Sequence, residues 1–374
     1  MTETATVRVD LEPRPYDIHV GAGLLARTAD LVAPLHPSRV LVLTHPAIAR
    51  LHGPALLAPF GANSPEVIEI PSGERRKSLR WAARLYDELL ARRADRASVL
   101  LTFGGGVVGD LGGFVAATYM RGLRFVQVPT TLLAQVDASV GGKVAVDHPH
   151  AKNLIGAFYQ PSLVVADTST LHTLPAREYR CGLAEVVKHG VIADAVFFAW
   201  LEDSTPAVAA RDPDALLHLV RRNCEIKAAV VAADEREAGL RAILNFGHTA
   251  GHALETLTGY RALRHGEAVA MGMVAAARLS ETLGLCPPEV GNRIARLLTA
   301  FRLPTTLPAL DTDELIATMR SDKKAVAGTI RFVLPRDIGT VEIVDQVPEA
   351  ALREALQRNR SAAEKQSRSL DPNP

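Results

Sequence analysis

The first half of the chain alternates short apolar runs with segments of helical periodicity, and this alternation limits the folds that it can adopt. Five runs are typical of buried strands, at residues 39–44, 67–70, 99–103, 125–128 and 163–166. Helical spacing follows the first two of these runs, at residues 47–57 and 78–94. Strands that alternate with helices predict a mostly parallel sheet that is covered on both faces.

After about residue 173 the pattern becomes mainly helical. Helices are predicted at 176–192, 213–233, 247–257, 266–283 and 288–301, and a small hairpin at 330–334 with 341–344. We expect an α/β N-terminal nucleotide-binding domain at 1–174 and a mainly α-helical C-terminal domain at 175–358, with a functional cleft between them. The polar residues 359–374 predict a disordered tail.

Composition excludes several classes of function. A length of 374 residues suits two domains, and a formal net charge of +1 gives no overall attraction to nucleic acid or to an anionic membrane. The three cysteines, Cys181, Cys224 and Cys286, lie far apart and predict neither disulfides nor a thiolate metal site. Without a signal-like or membrane-spanning run at its start, the chain is expected to be soluble and cytoplasmic, with a small-molecule substrate.

Two segments have the composition of a nucleotide site. Residues 104–110, GGGVVGD, follow a predicted strand and open a helix, an arrangement that suits a pyrophosphate, although a plain tight turn is the alternative. This loop follows roughly the third strand rather than the first. Upstream, Glu74 follows a strand end with Lys77 close by; it could bind ribose hydroxyls or simply begin a helix.

Polar residues in apolar surroundings mark two further candidates. Asp137 and Lys143 flank Gly141–Gly142, which favours hydroxyl recognition and charge pairing in a cleft; solvated loop charges are the alternative. Lys188 lies one turn after Glu185 on a predicted helix whose surrounding residues are apolar. This pair could face a pocket or form a surface ion pair.

Three residues could close on one divalent metal: Glu185, His248 and His265. One carboxylate and two imidazoles leave a coordination position for substrate, as in catalytic zinc sites. His248 and His252, four residues apart, share one helix face. The alternative is that these histidines are core or capping residues.

Six segments taken together resemble 3-dehydroquinate synthases, members of the sugar phosphate cyclase superfamily. The similarity extends from about residue 71 to about residue 334, and the segments are GGGVVGDLGGFVAATYMRG, VPTTLLAQVDASVGGKVAVDHPHAKNLIGAFYQP, GLAEVVKHG, LNFGHTAGHALE, HGEAVAMGM and SDKKAVAGTIRFVL. The order and joint presence of these segments make the resemblance specific. It implies a homodimeric shikimate-pathway enzyme with NAD and one divalent metal, zinc or cobalt.

The resemblance also implies residue roles. The metal ligands would be Glu185, His248 and His265. The residues contacting NAD would be Ser72, Gly73, Glu74, Arg75, Arg76, Lys77, Gly106, Val107, Val108, Gly109, Asp110, Thr130, Thr131, Lys143, Lys152, Thr170, Leu171, His172 and Thr173. The substrate would be surrounded by Asp137, Lys143, Asn153, Lys188, Lys227, Arg241, Asn245, His252 and Lys324, with Arg121 reaching in from the partner subunit.

The implied reaction converts 3-deoxy-D-arabino-heptulosonate 7-phosphate to 3-dehydroquinate and phosphate. Its steps are transient oxidation by NAD, β-elimination of phosphate, re-reduction and an intramolecular aldol closure. Two departures from the family pattern are Ala151, where glycine is usual, and Thr44–His45, where an Asp or Asn pair commonly approaches the adenosine. The alternatives are another cyclase, such as an aminodehydroquinate, inosose or valiolone synthase, a metal-dependent polyol dehydrogenase, and a silent regulatory protein. The retained substrate residues favour a carboxylate-bearing substrate.

Overall fold

The computed structural model describes residues 3–260, 262–321 and 330–369, with side chains up to residue 360. Two compact units are present. The first comprises the described residues up to Tyr179 together with Arg211–Arg236, and the second comprises Arg180–Ala210 and the described residues from Glu237 onward. The domain boundaries expected from the sequence stay a prediction.

A mixed set of short strands supplies the sheets. The strands of the described residues are β1 (Thr4–Val9), β2 (Tyr16–Gly21), β3 (Val40–Thr44), β4 (Glu66–Glu69), β5 (Val99–Gly104), β6 (Arg124–Pro129), β7 (Lys143–His148), β8 (Ala151–Phe158), β9 (Leu163–Asp167), β10 (Phe332–Asp337) and β11 (Thr340–Val344). The last two form a hairpin in the second unit, close to where a hairpin is predicted.

Helices make up most of the remaining ordered chain. They are α1 (Thr28–Val32), α2 (Pro46–Leu57), α3 (Leu79–Ala91), α4 (Gly106–Thr118), α5 (Ala176–Ala193), α6 (Ala195–Asp203), α7 (Thr205–Ala210), α8 (Pro213–Ala233), α9 (His248–Leu257), α10 (His265–Thr282), α11 (Pro288–Ala300), α12 (Thr312–Ser321) and α13 (Glu349–Ser369). Among the described residues, no helix is both long enough and apolar enough to cross a membrane.

The first unit is built on a seven-stranded sheet in the order β1-β2-β9-β6-β5-β3-β4. Every neighbouring pair is parallel except β1 with β2. One face packs against α3, α4 and the β7–β8 hairpin, and the other face against α1, α2 and the turns beside them. The predicted fold class, an α/β N-terminal part with a mostly parallel sheet and a helical C-terminal part, is therefore confirmed.

The second unit is organised around α10. Most of its residues are buried, and it packs against α9, α11 and α13. The sequence of α10 is rich in Ala, Val, Met and Gly all round, which is the composition of a helix enclosed by neighbours rather than one lying at the surface.

Helix α13 includes residues 359–369, so this part of the tail that was predicted to be disordered is helical. Leu352, Ala355, Leu356 and Asn359 recur at helical spacing and are each at most 3% exposed, so α13 keeps a buried face through the position where disorder was expected to begin. The amide of Asn359 donates to the carbonyl oxygen of Met271 at 3.5 Å. Residues 370–374 of that tail lie outside the described residues.

Candidate functional site

Except for Lys143 and Lys152, which lie on the antiparallel hairpin β7–β8, the residues predicted to bind NAD follow the carboxyl ends of parallel strands. Ser72, Gly73 and the turn Glu74–Arg76 come after β4, and the glycine loop comes after β5. Thr130 and Thr131 come after β6, and the turn Thr168–Thr173, which contains the predicted segment Thr170–Thr173, comes after β9. Because neighbouring parallel strands end at the same edge of a sheet, these segments share one edge.

The sheet order explains why the glycine loop follows β5. After β3 the chain adds β4 on one side of it. The chain then returns to the other side of β3 with β5 and continues outward with β6 and β9. The order therefore reverses between β3 and β5, and ligands of doubly wound sheets bind outside such a switch point. The glycine loop leads into α4 at this switch point, and Gly105 is the residue before the helix. The free backbone N–H groups at the start of a helix favour a bound anion.

Lys77 connects three predicted site segments. It is 5% exposed, and its Nζ donates to the carboxylate of Asp110 in α4 and to the side-chain oxygen of Asn153 in β8. Burial lowers the pKa of Lys77, but the charges of Asp110 and Glu74 outweigh that effect and raise it. Lys152 extends the group through an ion pair with Glu74, N to O 3.8 Å. The lysine thus stays charged and fixes these segments together.

Two buried hydroxyls at this edge are suited to a ligand. Thr44 ends β3 and Thr130 follows β6; they are 1% and 2% exposed, and neither Oγ1 has a hydrogen-bond partner among the described residues. Gln135 instead fastens the edge, since its Nε2 donates to the backbone oxygen of Asp167 at 2.9 Å and to Thr170 Oγ1 at 3.2 Å. Buried polar groups normally have a partner, so a bound dinucleotide fits this edge.

Two predicted substrate residues of the first unit that lie 90 residues apart in the sequence are in direct contact. Lys227 on α8 forms an ion pair with Asp137, which lies in the π-helical turn Ala134–Ala138. Lys143 is exposed at the start of β7. Asn153 is exposed and has a positive φ of 53°, and its N–H donates to Asp147 Oδ1 at 2.9 Å.

In the second unit, Glu185, His248 and His265 come together, as the sequence predicts. The Glu185 side chain on α5 is fully buried, and its Oε1 lies 3.5 Å from His248 Nε2 and 3.4 Å from His265 Nε2. Two ligand atoms about 2.1 Å from a tetrahedral ion lie about 3.4 Å apart, so the spacing and the O,N,N donor set fit a divalent ion such as zinc. The alternative of ordinary core or capping histidines does not explain this convergence.

Both histidines are oriented through their other ring nitrogen. His248 Nδ1 lies 3.1 Å from the carbonyl oxygen of Phe246, and His265 Nδ1 lies 3.1 Å from Glu255 Oε2. If each Nδ1 carries the proton, each Nε2 offers a lone pair toward Glu185, which is the usual arrangement around metal-binding histidines. Glu255 is a residue that the sequence reasoning missed; its position seven residues after His248 on one helical face was the available signal.

Glycines allow the helices that carry these ligands to approach closely. A Cβ on Gly266 would lie 2.2 Å from the carbonyl oxygen of Cys181, one helical turn before Glu185. A Cβ on Gly272 would lie 2.0 Å from the carbonyl oxygen of Gly247, the residue before His248. Side chains at these positions would force α10 away from the two ligand-bearing segments. These glycines were also missed by the sequence reasoning.

The pKa values of the two proposed histidine ligands are shifted in opposite directions. Burial lowers the pKa of His248 well below its usual value, so this imidazole is neutral, as metal binding requires. Burial also lowers the pKa of His265, but hydrogen bonds to Glu185 and Glu255 outweigh it and raise the pKa to about 10. Metal binding at His265 therefore has to displace a proton.

Four predicted polar residues belong to the same unit as the three proposed ligands. Lys188, 1% exposed, pairs with Glu185, which excludes the surface ion pair considered from the sequence. Arg241 is 1% exposed, and Asn245 Nδ2 donates to Glu237 Oε1 at 2.9 Å. The His252 ring centroid lies 5.4 Å from that of His248 and 6.2 Å from that of His265.

Arg121 and Lys324 are the remaining predicted residues. Arg121 is exposed and follows α4, so it lies at the edge of the sheet opposite to the glycine loop. Its expected role in a partner subunit stays a prediction. Lys324 lies outside the described residues.

Comparison with known proteins gives the family. Models described as 3-dehydroquinate synthase N-terminal and 3-dehydroquinate synthase C-terminal match residues 67–181 and 182–325. The structure is similar to ValA, a 2-epi-5-epi-valiolone synthase from Streptomyces hygroscopicus subsp. jinggangensis 5008 with NAD⁺ and Zn²⁺ bound, at 30% identity and a TM-score of 0.86; the match covers 95% of this chain and 99% of that chain.

Two further structures are similar in fold. A 2-deoxy-scyllo-inosose synthase complexed with carbaglucose-6-phosphate, NAD⁺ and Co²⁺ matches with a TM-score of 0.87 and 24% identity, over 95% of this chain and 100% of that chain. A maleylacetate reductase from Agrobacterium tumefaciens matches with a TM-score of 0.65 and 17% identity, over 96% and 98% of the two chains. The chain belongs to the 3-dehydroquinate synthase family of sugar phosphate cyclases.

Proposed function

We propose that this protein is a 3-dehydroquinate synthase, which converts 3-deoxy-D-arabino-heptulosonate 7-phosphate to 3-dehydroquinate and phosphate. The observation that carries the proposal is the burial of three basic side chains that the family resemblance places around the substrate. Lys188 and Arg241 are each 1% exposed, and Lys227 is 6% exposed. Basic side chains bind phosphate and carboxylate through charge-assisted hydrogen bonds, and this substrate brings both groups.

The cofactor and the metal are assigned to separate sets of residues. NAD would be held at the sheet edge formed by the loops after β4, β5, β6 and β9, and a divalent metal by Glu185, His248 and His265. When bound, NAD accepts and returns a hydride, and the metal polarises the carbinol oxygen from which the proton leaves.

The chain's own residues then bind and orient the substrate. Lys188 and Arg241 neutralise its anionic groups, and Asn245, whose amide is held by Glu237, is oriented to bond a substrate oxygen. Asp137, paired with Lys227, accepts hydrogen bonds from hydroxyls. His252, next to His248 but outside the proposed ligand set, would hold and pass a proton at its imidazole.

The test is a phosphate-release assay with absorbance at 340 nm followed in the same cuvette. The heptulosonate phosphate should release phosphate only with NAD and metal present, and no NADH should accumulate, because the hydride is returned in every turnover. Steady accumulation of NADH would favour a polyol dehydrogenase. A dialysed, chelator-treated sample restored with Zn²⁺ or Co²⁺ provides the control.

A second candidate is another cyclase of the family. The 30% identity with a 2-epi-5-epi-valiolone synthase favours this alternative. The same assay distinguishes the two, with the imino analogue of the heptulosonate phosphate and sedoheptulose 7-phosphate as the competing substrates. A higher kcat/KM with either competitor would reject the proposed substrate while retaining the cyclase chemistry.

A further inference from the structure

Helix α9 carries the proposed metal ligand His248 and also Glu255, which contacts the proposed ligand His265. His248, His252 and Glu255 lie at positions i, i+4 and i+7 of α9 and therefore share a face. Glu255 is 7% exposed, and its Oε2 lies 3.1 Å from Nδ1 of His265, the first residue of α10. The carboxylate is thus buried against the nitrogen of His265 that faces away from Glu185.

We propose that Glu255 is a positioning residue for the metal centre, which accepts the Nδ1–H hydrogen bond of His265 and so fixes that ring with Nε2 toward Glu185. The inference rests on the proposed function, because it takes Glu185, His248 and His265 as the ligands. An imidazole can carry its proton on either nitrogen, and only the form with the proton on Nδ1 offers Nε2 to an ion.

The other histidine of the set supports this interpretation. His248 Nδ1 lies at the same distance, 3.1 Å, from a backbone carbonyl oxygen, that of Phe246. Both rings therefore have an acceptor on Nδ1 and present Nε2 to Glu185. The acceptor of His248 is part of the backbone, whereas that of His265 is a side chain and can be changed by substitution.

A competing arrangement uses the same residues. His252, Glu255 and His265 also offer atoms within 4.8 Å of one another and could hold an ion themselves. If both groups were occupied, His265 would have to bind through both nitrogens and lose its proton entirely. The hydrogen bond requires no such loss, and the two arrangements differ in how many ions each chain binds.

The experiment measures Co²⁺ binding to the purified protein, by competition with a chromophoric chelator and by the visible absorption spectrum of the bound ion. Glu255→Leu removes the acceptor at similar size and should weaken Co²⁺ binding about 10- to 100-fold, with an altered spectrum. Glu255→Gln keeps an oxygen acceptor and should bind at least fivefold more tightly than Glu255→Leu. Glu255→Ala takes the place of the leucine variant if that variant does not fold.

The matched control is Glu281→Leu. Glu281 is a buried carboxylate of the same unit, paired with Arg278 and Arg358 at the other end of α10. Its loss should lower the melting temperature and leave Co²⁺ affinity within twofold of the unsubstituted protein, which separates lost stability from lost ligand orientation.

The outcomes separate the two proposals. Co²⁺ affinity of Glu255→Leu within twofold of the unsubstituted protein would overturn the role of Glu255. So would two bound ions in the unsubstituted chain and one in the variant, because Glu255 would then be a ligand. An unsubstituted protein that binds no Co²⁺ would reject the proposed metal centre itself.

Discussion

Lys227 and Asp137, 90 residues apart in the sequence, form an ion pair in which the lysine ammonium also donates to the backbone oxygen of Asp137. The contact fixes a π-helical turn, Ala134–Ala138, to α8. Single turns of π-helix are often found at functional sites, where they redirect a side chain. Here the turn directs the Asp137 carboxylate to a lysine that the family resemblance also assigns to the substrate.

We expect Lys227→Met to lower kcat/KM for phosphate release at least 100-fold. The free energy of unfolding should fall by about 1.5–3 kcal/mol, because the variant removes the charged hydrogen bond that Lys227 donates to Asp137. Chemical denaturation of Lys227→Met, Asp137→Asn and the double variant forms a thermodynamic cycle, in which we expect a coupling of about 1 kcal/mol or more. Additive single effects would show that the ion pair contributes nothing to stability.

The ligand assignment predicts different behaviour for two neighbouring histidines. His265→Ala should lose the metal on dialysis, together with turnover, because it removes one of three ligands. His252→Ala should keep about one metal ion per chain and still lose most of its turnover, because His252 is proposed to handle a proton rather than the ion. Metal content by mass spectrometry and phosphate release are measured on the same samples.

A result in which His252→Ala also loses the metal would move this residue into the ligand set. His19→Ala is the control, since His19 lies on β2 in the other unit and should change neither quantity.

Local pattern predicted the fold well where periodicity was strong. The helix predicted at 213–233 has the bounds of α8, and all five predicted strands are present as β3, β4, β5, β6 and β9. The strands β1, β2, β7 and β8 were not predicted. They form two antiparallel pairs, β1 with β2 and β7 with β8, and such pairs need no helix between their strands. The alternation of strands and helices that predicted the other strands is therefore missing here.

The site was predictable only where its residues have chemically distinctive side chains. Glu185, His248 and His265 have chemically distinctive side chains, so their type indicates a metal even before the fold is known. Gly266 and Gly272 act through the absence of a side chain, and their close contacts with Cys181 and Gly247 depend on how α5, α9 and α10 pack. Nothing in the local sequence around a glycine indicates what lies opposite to it.

Gly266 therefore provides a third prediction. Gly266→Ala should lower the free energy of unfolding by about 1–3 kcal/mol, because its Cβ would overlap the carbonyl oxygen of Cys181. Metal affinity should also fall, since relief of the overlap moves His265 away from Glu185. Unchanged metal affinity in Gly266→Ala would show that the helices adapt without moving the ligand.

The last prediction concerns thiol reactivity. Cys224 is fully buried, its Sγ donates to the backbone oxygen of Gln135 at 3.3 Å, and burial raises its pKa to about 12. At pH 8 only about one Cys224 thiol in ten thousand is then ionised, and the thiolate is the form that reacts. Raising the pH toward 10 increases that fraction about 100-fold but leaves the side chain inaccessible.

Native protein should therefore show no reaction of Cys224 with an aromatic disulfide reagent at pH 8, whereas protein unfolded in guanidinium should titrate three thiols. Cys181→Ser combined with Cys286→Ser isolates Cys224, and peptide mapping identifies any modified thiol. Fast reaction of Cys224 in the native protein would mean that α8 separates from the Ala134–Ala138 turn on the time scale of the assay. Such opening would also break the contact between Lys227 and Asp137, so Lys227→Met should accelerate any residual reaction.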